Sequence, residues 1–117
     1  DKIILITDSM EAAGCSDGDY SIAGEKVIVK NGMARNIEGA LAGSTLDLLT
    51  ALKNYMNFCS LKLEDALNCA TLNPAKMIGI SDECGKIERG CRADLIILND
   101  TKDLNIEAVL ASGGFVR

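Results

Sequence analysis

Residues Ile3-Ile4-Leu5-Ile6 form an uninterrupted apolar run that stops at Thr7-Asp8. A half-exposed strand alternates apolar and polar side chains, so a run without alternation predicts a strand covered on both faces. Such strands belong to parallel sheets flanked by helices, which sets α/β as the expected class. The carboxyl end of such a strand is also where α/β barrels and open sheets gather their ligands. That makes Asp8 the candidate for chemistry. Taken alone it is a weak signal, because the commoner role of a strand-end Asp is to cap a nearby backbone amide.

Composition narrows the functions available. The chain has 117 residues, 48% of them hydrophobic and 25% charged, which is enough for one modest core and excludes a disordered tail. Aromatics are 3% and Trp is absent, so the core is aliphatic. With 12 basic and 17 acidic residues the formal charge is −5, and there is no basic run. Neither nucleic acid nor an anionic membrane surface is an expected partner. No apolar run is long enough to cross a bilayer. Histidine is absent, which excludes a Ser-His-Asp triad, a Cys-His dyad and the common catalytic zinc sites within this chain. The five cysteines (15, 59, 69, 84 and 91) are odd in number and form no Cys-x-x-Cys pair. They read as reduced thiols in a cytoplasmic protein. The chain has no initiator Met and opens directly before the apolar run, so we expect a piece of a longer polypeptide.

Along the chain, segments around Ile22 and from Lys26 to Lys30 read as short strands. Asn31-Gly32 supplies the positive φ angles of a type I′ turn and predicts a β-hairpin with Met33-Ala34-Arg35. The small-residue stretch Gly39-Ala40-Leu41-Ala42-Gly43 then leads into a helix with Ser44 or Thr45 as N-cap and Asp47 completing a capping-box-like start. Leu48, Leu49, Leu52, Tyr55, Met56 and Cys59 share a face of that helix. A second helix starts near Leu63 and must stop at Asn73 before Pro74, followed by one turn from Ala75 to Ile78 that closes on Gly79. Gly85 to Ile87, Ala93 to Leu98 and Ile106 to Leu110 read as strands, Gly113-Gly114 as a turn, and Phe115-Val116 as the start of another strand. A domain boundary is placed at 82/83.

Two motif readings fail on their residues. Asp17, Asp19 and Ser21 imitate the opening of a calcium loop, but its sixth and twelfth positions fall on Ile22 and Ile28 rather than Gly and Glu. The Gly39 to Ser44 stretch lets backbone amides approach a ligand, yet it lacks the Lys and the spacing of a phosphate-binding P-loop.

The pieces resemble, nearly end to end, the carboxyl-terminal third of the N-acetylglucosamine-6-phosphate deacetylases, a family of the amidohydrolase superfamily. Leu5-Ile6-Thr7-Asp8-Ser9-Met10 and Leu41-Ala42-Gly43-Ser44-Thr45-Leu46, at their mutual spacing, carry the resemblance to that family. Ala70-Thr71-Leu72-Asn73-Pro74-Ala75 continues it, while Gly85-Lys86-Ile87…Gly90…Ala93-Asp94-Leu95 is similar to a stretch common in the superfamily.

The resemblance implies a (β/α)8 barrel ending in residues 1–82, incomplete here, and carboxyl-terminal strands of a small β-sandwich in 83–117. It implies that Asp8 is the general base and then the general acid of amide hydrolysis, and that Leu41, Ala42 and Gly43 form the loop that closes on the sugar. Ser44 fits better as a helix cap. It implies a divalent metal, zinc or similar, in the complete enzyme, although this chain alone should bind none and be inactive. The implied partner is a sugar phosphate, and the implied assembly a homodimer. Two alternatives stay open: another amidohydrolase, such as a D-aminoacylase or cyclic-amide hydrolase, and a non-catalytic, self-associating segment.

Overall fold

The computed structural model describes residues 2–101 and 103–116. They form two compact units, one from Leu5 to Asn54 and one combining the residues up to Ile4 with those from Tyr55 onward.

The first unit is built on a three-stranded antiparallel sheet of β1 (Gly18–Ile22), β2 (Glu25–Lys30) and β3 (Met33–Asn36). The predicted turn is present: Asn31 and Gly32 have φ of 53° and 70°, and Lys30 pairs with Met33 across them. Asp17 secures this turn, its carboxylate accepting the backbone N–H of Asn31 and, at 3.1 Å, that of Gly32. The same two-residue geometry joins β1 to β2 through Ala23-Gly24. Period-two alternation buries Val27 and Val29 while Ile28 and Lys30 face outward. With Ala12 and Ala34 they make a small aliphatic core, against which Met10, Tyr20, Ile22 and Ala42 pack.

Residues 3–6 are not a strand. They form no backbone ladder with any described residue, and Ile6 is 76% exposed. A parallel strand exists only through its neighbours' hydrogen bonds, and no described segment lies alongside to supply them.

Helix α1 spans Leu48–Cys59 and buries Ala51 and Leu52. Its cap is Asp47, not Ser44 or Thr45. The Asp47 carboxylate accepts the Thr50 N–H at 2.8 Å and the Thr50 hydroxyl at 2.6 Å, while its carbonyl accepts the Ala51 N–H at 3.0 Å. Ser44 and Thr45 are occupied elsewhere: the Thr45 hydroxyl donates to the Gly32 carbonyl at 2.6 Å.

In the second unit the predicted helix from Leu63 is only one turn, α2 (Leu63–Ala66), continued as a 3-10 turn over Leu67–Cys69. A separate helix α3 (Leu72–Met77) then contains Pro74. Proline is tolerated there because first-turn N–H groups have no intrahelical acceptor, so it opens a helix here rather than ending one. The far end matches expectation. Gly79 has φ +77°, its N–H donates to the Lys76 carbonyl, and the Ile80 N–H donates to the Ala75 carbonyl at 2.9 Å, a Schellman closure. Asn73, buried at the start of α3, donates to the carbonyl of Ile3 at 2.8 Å.

Gly85 to Ile87 is not a strand either. Gly85 (φ +86°) passes so close to α3 that a Cβ would lie 2.8 Å from the Ala75 Cβ and 2.9 Å from the Thr71 carbonyl oxygen. The second sheet is β4 (Leu95–Leu98), β5 (Ile106–Ala111) and β6 (Gly114–Phe115) in that order, all antiparallel. Its last turn is Ser112-Gly113, one residue earlier than read from the sequence, with φ of 50° and 83°.

Hydrogen bonds from Thr50, its hydroxyl first and its N–H second, hold the Asp47 carboxyl below the usual carboxylate range. In the complete protein Asp47→Ala is expected to cost about 1 kcal/mol in urea unfolding. Because the folded-state pKa lies below the unfolded value of about 3.9, the ionised cap stabilises above that value. The difference between wild type and mutant is therefore expected to shrink as pH falls through the folded-state pKa.

Candidate active site

Asp8 lies where the extended segment turns, with φ +52°. This left-handed conformation is uncommon outside glycine, although Asp tolerates it better than most residues. It lets the segment meet the stretch that follows β3. Ser44 and Ser9 form a parallel bridge, the Ser44 N–H donating to the Asp8 carbonyl at 2.8 Å and the Met10 N–H to the Ser44 carbonyl at 2.9 Å. Two hydroxyls reinforce it from opposite sides. Ser44 Oγ donates to the Thr7 carbonyl, and Ser9 Oγ donates to the Leu46 carbonyl.

The hairpin sets the position of the opposing segment. Asn36, closing β3, accepts the N–H groups of Glu38 (3.1 Å) and Ala40 (2.9 Å) on its side chain, and its own N–H donates to the Ala40 carbonyl at 2.9 Å. The chain so reversed runs back along β3: Leu41 bridges Arg35, and the Ala42 N–H donates to the Ala34 carbonyl at 3.1 Å. Arg35 also reaches the Gly39 carbonyl at 2.6 Å. Leu41, Ala42 and Gly43 thus leave the hairpin at a fixed angle and reach Asp8 within three residues.

Gly43 is the point of contact. It has φ +68°, and a Cβ there would lie 3.2 Å from Ile22 Cδ1, 3.3 Å from the Asp8 carbonyl oxygen and 3.4 Å from Met10 Cβ. An open groove of about 360 Å3 borders Asp8, Ser9, Met10, Glu11, Ser21, Ile22 and Gly43. Asp8 and Leu41 are exposed, and Ala42 is half-buried. The structure brings Asp8 and Gly43 together, with Leu41 and Ala42 in the irregular segment immediately before Gly43.

Several contributors are silent in the sequence. Glu11 accepts the Ser21 N–H at 2.8 Å and so ties the groove to β1. Asp17, Asn36 and Thr45 each hold a turn through a backbone group; the sequence marks Asp17 as a failed calcium ligand and Thr45 as a candidate helix cap, and gives no signal at Asn36. The superfamily-like Ala93-Asp94-Leu95 is likewise structural. Asp94 accepts the Ser112 N–H at 2.8 Å and pairs with Arg92 at 2.6 Å, and these two partners, in that order, lower its pKa. All five cysteines are free; Cys15 and Cys59 are exposed, Cys69 is buried, and Cys84 and Cys91 are half-buried. Among the described residues no three Cys, Asp or Glu side chains converge as cation ligands, and no helix is long and apolar enough to cross a membrane.

The profile of the amidohydrolase family matches residues 2–116. The chain is 35% identical over 113 residues to an N-acetylgalactosamine-6-phosphate deacetylase of Escherichia coli O157:H7, covering 97% of this chain and 29% of the relative. It is 35% identical over 115 residues to an N-acetylglucosamine-6-phosphate deacetylase of Vibrio furnissii, covering 98% of this chain and 28% of the relative. The crystal structure of an N-acetylglucosamine-6-phosphate deacetylase from Thermotoga maritima superposes with a TM-score of 0.89 at 36% identity, covering 98% of this chain and 31% of that one. The chain therefore spans less than a third of the length of each of these proteins.

Gly43→Ala is expected to destabilise the complete protein by about 1–2 kcal/mol, the scale of placing a Cβ in the left-handed region. Urea unfolding of the mutant checks this, with Gly39→Ala as a control for positive φ in open space.

Proposed function

The chain belongs to the amidohydrolase family, and on that premise we propose that it forms the carboxyl-terminal part of a metal-dependent (β/α)8 hydrolase that deacetylates N-acetylglucosamine 6-phosphate. In this reading residues 1–82 complete the barrel and 83–117 contribute strands to a small β-sandwich. The unpaired run Ile3 to Ile6 is then a barrel strand whose neighbours come from other parts of the polypeptide. The partner is a small sugar phosphate, and by the resemblance the assembly is a cytoplasmic homodimer.

One observation carries the reading: Asp8 and Gly43 meet at one groove although 35 positions separate them. Amide hydrolysis needs a base for the attacking water and an acid for the departing nitrogen, and one carboxylate can serve both in turn. As the water oxygen bonds to the acetyl carbon, Asp8 accepts the water's proton. As the C–N bond breaks, Asp8 returns that proton to the nitrogen, releasing acetate and the amine. Leu41, Ala42 and Gly43 present a narrow backbone edge beside it, suited to packing against a sugar.

The donor set of this chain does not fit the metal on which such enzymes generally depend, because it has no histidine and no converging acidic or thiol cluster among the described residues. The proposal takes the metal's ligands from outside these residues and assigns this chain the proton transfers. A second reading, the C4 epimer N-acetylgalactosamine 6-phosphate, is favoured by the 35% match to the Escherichia coli enzyme.

In the complete protein Asp8→Asn is expected to lower kcat by about 10²–10⁴-fold, with KM and melting temperature close to wild type. Steady-state assays on both amino-sugar phosphates, with thermal melts of the same preparations, check this and rank the epimers by kcat/KM. A mutant that melts several degrees lower yet turns over within a few-fold of wild type would reduce Asp8 to a capping residue.

A further inference from the structure

We propose that Ser44 is a positioning residue for the proposed reaction: its hydroxyl and backbone hold Asp8 in its left-handed conformation and tie it to the Leu41–Gly43 segment as one body. The inference rests on the assignment of Asp8 as the proton-transfer group.

Three of Ser44's hydrogen-bonding groups reach the Asp8 segment. Its N–H donates to the Asp8 carbonyl, its carbonyl accepts the Met10 N–H, and its hydroxyl donates to the Thr7 carbonyl. The same hydroxyl oxygen accepts the Leu46 N–H at 3.1 Å, so both of its roles are used and its rotamer is determined. Ser44 is half-buried, so its hydroxyl bond is partly screened from competing water. The residues it grips, 7 to 10, bracket the left-handed position at Asp8. A non-glycine residue persists in that conformation only when its surroundings over-determine it. Without the hydroxyl, the Thr7 carbonyl loses its partner and the bond immediately before Asp8 is freed. Ser9 acts from the other side on Leu46, one residue past Thr45, and does not touch the peptide that enters Asp8.

Displacement of a catalytic group by about 1 Å can cost as much as 10²-fold in rate. Ser44→Ala in the complete, metal-loaded protein is therefore expected to lower kcat at least about tenfold, with Ser44→Thr restoring most of it because the hydroxyl returns. If Ser44 acts through Asp8, the two substitutions are not additive: in an Asp8→Asn background, Ser44→Ala should change kcat by no more than about twofold. Without substrate or metal, hydrogen exchange in Ser44→Ala should accelerate at the Met10 amide and at the amide of residue 44, and stay unchanged in β2 and β3. The proposal is overturned if Ser44→Ala keeps kcat within about twofold of wild type, or if its effect is the same in both backgrounds. An Asp8→Asn enzyme that retains full kcat would instead overturn the assignment of Asp8. The exchange data then judge the clasp separately, with unaltered Met10 protection removing that too.

Discussion

The parallel bridge between Ser9 and Ser44 is the contact on which the geometry of the first unit's candidate site depends. It joins two segments that also share the aliphatic core through Met10 and Ala42, and the backbone is left-handed on both sides of it, at Asp8 and at Gly43. At Gly43 the close approach demands the absence of a side chain, while at Asp8 a carboxylate is kept despite the conformational cost. Asp8 shares the left-handed region with Ala23, Asn31, Ser60, Leu104 and Ser112, and of these six it alone borders the groove.

Everything upstream of the bridge keeps the approach angle constant. Asp17 grips the Asn31-Gly32 turn from below and Thr45 grips it from beyond, so the turn is bound both to the strand that precedes β2 and to the segment that leads into α1. Asn36 reverses the chain, and Asp47 starts the helix immediately after the bridge. Each is a short polar side chain spent on a backbone group. The aliphatic core beneath is small, so orientation within this unit comes from directional bonds more than from packing volume.

Legibility followed the range of the interaction. The Asn31-Gly32 hairpin, the alternation of Val27 and Val29 and the Gly79 closure were readable because each is decided within a few residues. Asp8 is marked by its place at the end of the apolar run and Leu41 to Gly43 by the resemblance alone, and Asp8 and Gly43 lie against each other. What failed was decided at a distance. Ser44 looks like a helix cap locally, but the Thr7 carbonyl, 37 residues away, claims its hydroxyl and leaves capping to Asp47. Ile3 to Ile6 has the composition of a doubly covered strand, yet composition cannot supply the neighbours that make a strand. Pro74 was read as a stop because its effect on the preceding residue is local, whereas the break had already come at the 3-10 turn before it.

The bond from Asn73 to the Ile3 carbonyl spans 70 positions and places the two events of folding in a fixed order. A two-residue hairpin closes in about 1–10 μs once its strands exist, so β2 and β3 can form as soon as they are synthesised. The Ile3 carbonyl has no such early partner. At a synthesis rate of about 5–20 residues per second, the apolar run beside it waits several seconds for Asn73 to emerge. The bond that ties the Ile3 carbonyl to α3 is therefore among the last local links to close in this stretch of chain, after the hairpin and α1 have already been made.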